Sequence, residues 1–302
     1  MILRAATDDG VTLHVEVRGD GDPLLLIHEF AGDHRSWAPQ VAHFATYRRC
    51  ITYAARGYPP SDVPDDPAAY SQDRAVADAV AVLDALELQS AHVVGLSMGG
   101  FCALHLARLA PDRVRSAVVA GCGYGSAPGA QEQFQRECEA IAAAFAERGA
   151  AAVAEGYAVG PARVQLQNKN PDAWELFARQ LAEHDARGAE LTMLGVQRLR
   201  PSLHELADEL ARVAVPILIV TGDEDEGCLD TDLMLKRTMP SAALCVLPRT
   251  GHTCNLEDPV TFNHVVERFL AAVDDGSWTA RDPRSLARSI TGIDEPQPRL
   301  VR

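Results

Sequence analysis

The sequence predicts an α/β fold, a mostly parallel sheet with helices on both faces and an inserted helical cap. Three observations predict it. Short aliphatic runs alternate with stretches whose apolar residues recur at helical spacing. One such run, Val93-Val94, breaks directly into Gly95-Leu96-Ser97-Met98-Gly99 and then into a helix. Strand signals then disappear between about residues 125 and 201 and return after them.

Taken in order, residues 11–17 alternate as a half-exposed antiparallel strand, and residues 23–27 form a short buried run. Residues 50–53 and 92–94 open two further strands. Between them, residues 71–88 carry Val76, Val80, Leu83 and Leu86 at helical spacing, with Ser71 as N-cap. A helix is expected from about Phe101, a strand over 116–120, and Ala-rich charged helices over 131–149 and 171–188, punctuated by Pro161, Pro171 and Pro201. Strands over 215–220 and 243–247 follow, and Asp258-Pro259 reads as a cap with proline at the first position of a closing helix. The expected division is a core of residues 1–125 and 202–302, whose tail begins at about 274, and a cap of residues 126–201. The tail, with Trp278 and several arginines, is expected to pack irregularly or fray. No internal repeat is present.

Gly-x-Ser-x-Gly at a strand-to-helix turn is chemically loaded. A serine raised on such a turn occupies strained backbone, and its small neighbours let strand and helix approach closely. The helix N-terminus behind it presents free N–H groups to a developing oxyanion. Two later strands each end in a functional group: residues 215–220 run into Gly222-Asp223-Glu224-Asp225, and residues 243–247 into Thr250-Gly251-His252. The order Ser97, acid, His252 suits one of the known triad architectures and not the others. Three acids share one turn, and Gly-x-x-Asp spacing favours Asp225 over Asp223 and Glu224. The other strand end that could carry an acid, Gly121-Cys122-Gly123, has none.

These motifs together resemble the α/β-hydrolase superfamily over most of the chain. His28-Glu29-Phe30 is similar to that family's His-Gly-x oxyanion loop, and Arg56-Gly57-Tyr58-Pro59-Pro60-Ser61-Asp62 to its Arg-Gly-x-Gly-x-Ser segment. The resemblance implies Ser97 as nucleophile, His252 as base, Asp225 as its orienting acid, and the N–H groups of Phe30 and Met98 as oxyanion hole. His28 would brace the loop beside the substrate. Glu29 departs from the family's glycine. It is expected to turn away and pair with Arg35 or Arg56; the sharper alternative is contact with a substrate amine or amide, or with the deacylating water.

The segment 24–37, the elbow and the histidine turn look like bacterial catabolic hydrolases of small carboxylate-bearing esters, enol-lactones or enamide-type amides from opened heteroaromatic rings, with an (acylaminomethylene)succinate as one example. The meta-cleavage C–C hydrolases, whose elbow more often reads Asn-Ser, and cofactor-free perhydrolases or general esterases are alternatives. A non-enzymatic receptor is disfavoured because no triad member is missing. Carboxylate anchors could come from His34, Arg35, Arg163, Arg179, Arg187 or Arg198. Tyr124 and the cap residues Phe134, Tyr157, Trp174, Phe177 and Met193 could line the pocket, although such stripes more often hold a cap together.

Composition narrows the remaining classes. With 302 residues, 47% hydrophobic and 6% aromatic, the chain can bury one large core plus an insertion. A formal charge of −14 disfavours nucleic acid and anionic membrane as partners. The expected partner is a small-molecule substrate, and a homodimer is compatible with the sequence. No apolar run approaches the length of a membrane span, and the first residues carry no apolar signal core. Seven scattered cysteines fit a reducing, cytoplasmic setting. No cofactor is expected, and no metal, since no cluster has metal-ligand spacing.

Overall fold

In a computed structural model that describes residues 1–286, the strands are β1 (Ile2–Ala6), β2 (Thr12–Arg18), β3 (Asp22–Ile27), β4 (Arg48–Tyr53), β5 (Ala91–Leu96), β6 (Val114–Ala120), β7 (Ile217–Gly222) and β8 (Ala242–Leu247). They form one sheet in the order β1-β2-β4-β3-β5-β6-β7-β8. β2 pairs antiparallel with both β1 and β4, and every other pairing is parallel. The order reverses direction at β3, so the chain grows outward on either side of a central β3–β5 pair. Ligand crevices form beyond the carboxyl ends of strands at such a reversal.

The period of two in each central strand sorts its side chains between two cores. Leu25, Ile27, Val93, Ala117, Val119, Ile217 and Ile219 face one cluster with Val76, Leu83, Phe101 and Leu104. Leu24, Leu26, Val94, Leu96, Val118, Val220 and Leu218 face the other, with Trp37, Phe44, Phe262, Val266 and Phe269. Strands buried on both sides need no polar positions, which is why these runs are almost wholly aliphatic.

The helices that cover the two faces are α1 (Ala38–Phe44), α2 (Gln72–Ala85) and α3 (Met98–Leu109). Ser71 caps α2 by accepting the Arg74 N–H. α3 starts at Met98, three residues before the expected Phe101, because the turn at Ser97 is sharp enough to enter the helix at once. Between β6 and β7 the chain is helical: α4 (Gln131–Tyr157), α5 (Val164–Lys169), α6 (Pro171–Ala182) and α7 (Ala186–Leu191), followed by a π-helical turn over Thr192–Gln197. Gly149, at φ 75°, breaks α4 where the sequence pattern ended it, and the chain then resumes the helix to Tyr157. After α8 (Ala207–Leu210), the helices α9 (Glu226–Thr238), α10 (Cys254–Glu257) and α11 (Pro259–Asp274) complete the described chain. Asp258 caps α11 through the Thr261 N–H.

A third core lies within the inserted helices, and it reaches down to the sheet. Phe145, Leu166, Phe177, Leu181 and Met193 pack in one cluster with Phe30 and Met98. The insertion therefore rests on the two residues that flank the strand ends of β3 and β5. β1 was not expected from the sequence; it is an edge strand with mostly exposed side chains and one buried alanine, too weak a pattern to read. Trp278 packs on Phe269 and donates its indole N–H to Ser241 O, so the tail is anchored at that point. Its arginines beyond residue 286 lie outside the described residues. Among those described, no helix is long and apolar enough to cross a membrane.

Candidate active site

The turn after β5 holds Ser97 at φ 53° and ψ −113°, a conformation that costs a non-glycine residue about 1–3 kcal/mol. Its surroundings impose the glycines. A β-carbon on Gly95 would collide with Gly99 O, and one on Gly99 with the carbonyls of Ile27 and His28. The elbow is thus pressed against the end of β3, which brings the loop carrying Phe30 beside it. The N–H groups of Met98 and Phe30 have no backbone partner among the described residues, whereas the Ser97 N–H is tied to Ala120 O at 2.8 Å.

His252 lies over the end of β6. A β-carbon on Gly121 would be 3.4 Å from His252 Nδ1 and 3.4 Å from the Leu96 side chain, so the imidazole sits next to the residue preceding Ser97. His252 Nδ1 and Asp225 Oδ2 are 2.9 Å apart. Of the three acids on the β7 turn, Asp225 alone makes this contact. Asp223 accepts the Thr250 N–H at 3.1 Å, and Glu224 bonds Gln165. No hydrogen bond joins Ser97 Oγ to His252; such bonds commonly tighten only around substrate.

Burial acts against charge on His252, but the Asp225 carboxylate more than offsets it, and the imidazole pKa is raised above the ordinary histidine value. For Asp225, burial works upward and His252 downward, with the net pKa lowered. The pair therefore favours imidazolium next to carboxylate, the state a base reaches after taking a proton.

Two residues that sequence reasoning missed hold this geometry. The buried Glu257 carboxylate accepts the Gly251 N–H at 2.5 Å and the N–H and hydroxyl of Thr253 at 2.9 Å, clamping the chain on both sides of His252. Tyr58 donates its hydroxyl to Phe30 O at 2.8 Å. Glu257 carries no local motif, and Tyr58 fills an unspecified position of the Arg56–Asp62 segment; each side chain is recognised only by the backbone it meets.

His28 is buried, and its tautomer follows from its partners. The Ala55 N–H donates to Nε2 at 3.1 Å, so Nδ1 carries the proton and donates to Glu29 O at 2.7 Å. Burial lowers its pKa, against the smaller pull of the Glu29 carbonyl and nearby acids, which keeps the ring neutral in this bracing role.

Glu29 corrects an expectation. It pairs with neither Arg35 nor Arg56. Arg56 is committed to Asp78 and Asp9, and Arg35 to Asp33 and Glu183. Glu29 Oε2 instead meets Arg163 Nη2 at 2.5 Å, with both side chains almost fully buried. Arg163 descends from the turn before α5 and is sandwiched over the rings of Tyr157 and Phe177. Its Nε and Nη1 are buried without a hydrogen-bond partner among the described residues. The pair joins the inserted helices to the loop of Phe30, and the charge of Arg163 acts on both Asp225 and His252.

The remaining expected pocket residues are placed elsewhere or otherwise engaged. Arg35 is half-exposed and held in its two ion pairs. Tyr124 is 44% exposed, with its hydroxyl on Glu137 and its ring on Phe134. Trp174 donates its indole N–H to Ala158 O at 2.6 Å and packs inside the insertion, as a cap-holding residue does. Tyr157 does approach the site, with its ring 6.3 Å from that of Phe30.

A family profile described as alpha/beta hydrolase fold matches residues 22–259. The chain is 28% identical to the 3-oxoadipate enol-lactonase 2 of Acinetobacter baylyi over 269 residues, covering 87% of this chain and 95% of that one. It is 30% identical to a 2-hydroxymuconate semialdehyde hydrolase of a Pseudomonas species over 289 residues, covering 88% and 92%. Among solved structures, a thermophilic esterase of Thermogutta terrifontis, determined with malate bound, superposes with a TM-score of 0.80 at 22% identity, covering 90% of this chain and 99% of that one.

Proposed function

The chain belongs to the α/β-hydrolase fold family, and from that premise we propose that it is a serine hydrolase that cleaves a small carboxylic ester, enol-lactone or linear amide by acyl transfer. Ser97 attacks the carbonyl carbon while His252 takes its proton. The N–H groups of Met98 and Phe30 receive the oxyanion, and Asp225 orients and stabilises the imidazolium. His252 then returns the proton to the leaving group, and a water, activated by the same imidazole, releases the acid and restores Ser97. The observation that carries this reading is the 2.9 Å contact of His252 with Asp225 at the strand ends beside the strained elbow.

The reaction requires no cofactor, and its setting is proposed to be the cytoplasm. Arg163 supports a substrate that brings its own carboxylate, because a buried guanidinium with unpaired N–H groups is stabilised by an anion that can accept from them. An acylaminomethylene-succinate or a comparable ring-opened catabolite has that character, and so do enol-lactone acids. A C–C hydrolase is the second reading, favoured by the relative at 30% identity.

The test is a panel of carboxylate-bearing esters, enol-lactones, acyl enamides and vinylogous diketone acids offered to wild type and Ser97→Ala. Turnover of an ester, lactone or enamide that disappears in the variant is the expected result. Turnover of the C–C substrate alone moves the assignment to the second reading, and equal rates in the two proteins would reject Ser97 as nucleophile.

A further inference from the structure

On the face of β2 opposite Leu13, Val15 and Val17, three side chains converge that the proposed reaction does not use. His14 and Glu16, two residues apart on one strand, point the same way. His34, eighteen residues after Glu16, lies in the short 3-10 turn that follows the loop of Phe30 and is capped by Asp33. Glu16 Oε1 is 3.3 Å from His14 Nε2 and 3.6 Å from His34 Nε2, and one ligand atom from each residue lies within 4.8 Å of the others.

His34 is the informative member. It is 8% exposed, its Nδ1 is buried without a hydrogen-bond partner among the described residues, and its other nitrogen aims at a carboxylate beyond hydrogen-bond reach. No side chain among the described residues hydrogen-bonds the ring, and its Nε2, the nitrogen that faces Glu16, is left to take a ligand. A simple polar contact accounts for His14 and Glu16 but not for His34.

We propose that His14, Glu16 and His34 form a Zn²⁺ site. Zinc holds imidazole nitrogen and carboxylate oxygen at about 2.0–2.2 Å, so neighbouring ligand atoms around a tetrahedral ion stand roughly 3.4 Å apart. The two distances to Glu16 bracket that separation. Two imidazoles sharing one tetrahedral ion through Nε2 have ring centres about 5 Å apart, and those of His14 and His34 are 5.0 Å apart. On the outer side, Asp33 Oδ1 stands 3.7 Å from His34 Nδ1, beyond hydrogen-bond reach. Glu16 is 28% exposed, which leaves the fourth position to solvent and gives the ion a way in. The ion ties the turn after the Phe30 loop to the antiparallel edge of the sheet. The spacing His-x-Glu with a distant histidine escapes sequence inspection because strand geometry and a loop return bring the three together.

The test is equilibrium dialysis of the untagged, chelator-treated full-length chain against zinc chloride alone, with thermal unfolding measured in parallel. Wild type is expected to bind one equivalent at this site and to unfold at higher temperature when zinc is present. Glu16→Gln and His14→Gln are expected to weaken binding by at least the roughly 10–100-fold seen for supporting residues of metal sites, and to lose the thermal shift while keeping the metal-free unfolding temperature. Asp225, Cys228 and His252 also cluster within 4.8 Å, so His252→Asn separates the two locations. Binding that survives His252→Asn supports the proposal. Binding lost in His252→Asn, binding unchanged in both β2 variants, or no binding by wild type overturns it. None of these outcomes depends on the nature of the substrate.

Discussion

At the scale of single residues, the sharpest feature is a buried ion pair in the loop that forms half of the proposed oxyanion hole. Glu29 and Arg163 are both almost fully buried, so each neutralises a charge that would be intolerable alone. Arg163→Met leaves the Glu29 carboxylate buried without a partner and should destabilise the fold by about 3–5 kcal/mol in denaturant titration. The double variant Glu29→Gln/Arg163→Met should recover much of that loss; strictly additive losses would show that the pair is not coupled. Glu29→Gln also tests the loop: if the carboxylate contacts substrate or water, KM or kcat changes, and unchanged kinetics would leave it a charge partner for Arg163 only. The proposed base makes its own prediction. His252 must be neutral to accept a proton, and its pKa is raised, so kcat/KM should climb with pH through a midpoint above about 6.5. A profile flat from pH 5 to 8 would contradict the assignment. Asp225→Asn should lower kcat by about 10⁴-fold through loss of imidazole orientation, whereas Asp223→Asn should not.

At the scale of elements, strand ends and tight turns deliver the groups, and this was the legible part of the sequence. Gly95-x-Ser97-x-Gly99, Gly222-x-x-Asp225 and Gly251-His252 each sit just after an aliphatic run, and each occupies a turn whose geometry restricts the residue types. Gly99→Ala would push a methyl into the carbonyls of Ile27 and His28 and should cost about 2 kcal/mol or more, with loss of turnover. An unaltered protein would mean that β3 and the elbow are not locked together. The less legible contacts have no such signature. Glu29 and Arg163 lie 134 residues apart, and their meeting depends on how the inserted helices settle on the loop. Glu257 recognises the backbone of the His252 loop, which any acid on the following turn could do in principle. β1 was hidden because an exposed edge strand has little hydrophobic pattern, and α4 ran past Gly149 because tertiary packing restarts a helix that local propensity would end.

At the scale of the molecule, the same burial that builds two cores and a helical covering also traps histidines. Burial, with help from Arg108 and Arg200, lowers the pKa of His105 to about 3, and burial lowers that of His184 to about 4 against nearby acids. His28, His34 and His92 are lowered for the same first reason. In the unfolded chain these rings titrate near 6.5, so below that pH the unfolded state takes up protons that the folded state refuses. Their contribution is fully present above about 6.5 and is lost toward each folded value at up to about 1.4 kcal/mol per pH unit for each ring. His252 has the opposite sign, since its raised pKa stabilises the fold below 6.5 and loses that effect as pH rises. Five lowered rings outnumber the groups of opposite sign, His252 and the burial-raised carboxyls of Asp78 and Asp232, and predict a lower unfolding temperature at pH 5 than at pH 7.5. An equal or higher value at pH 5 would show that the buried rings take up protons in place.

The central claim is that the strained serine above β5 is made nucleophilic by the imidazole brought over the end of β6. Labelling with a fluorophosphonate, followed by mass mapping of the modified peptide, tests it most directly. The account predicts a single adduct on Ser97 in wild type, none in Ser97→Ala, and labelling slowed by orders of magnitude in His252→Ala. An adduct elsewhere, or labelling of the His252 variant at the wild-type rate, would contradict it.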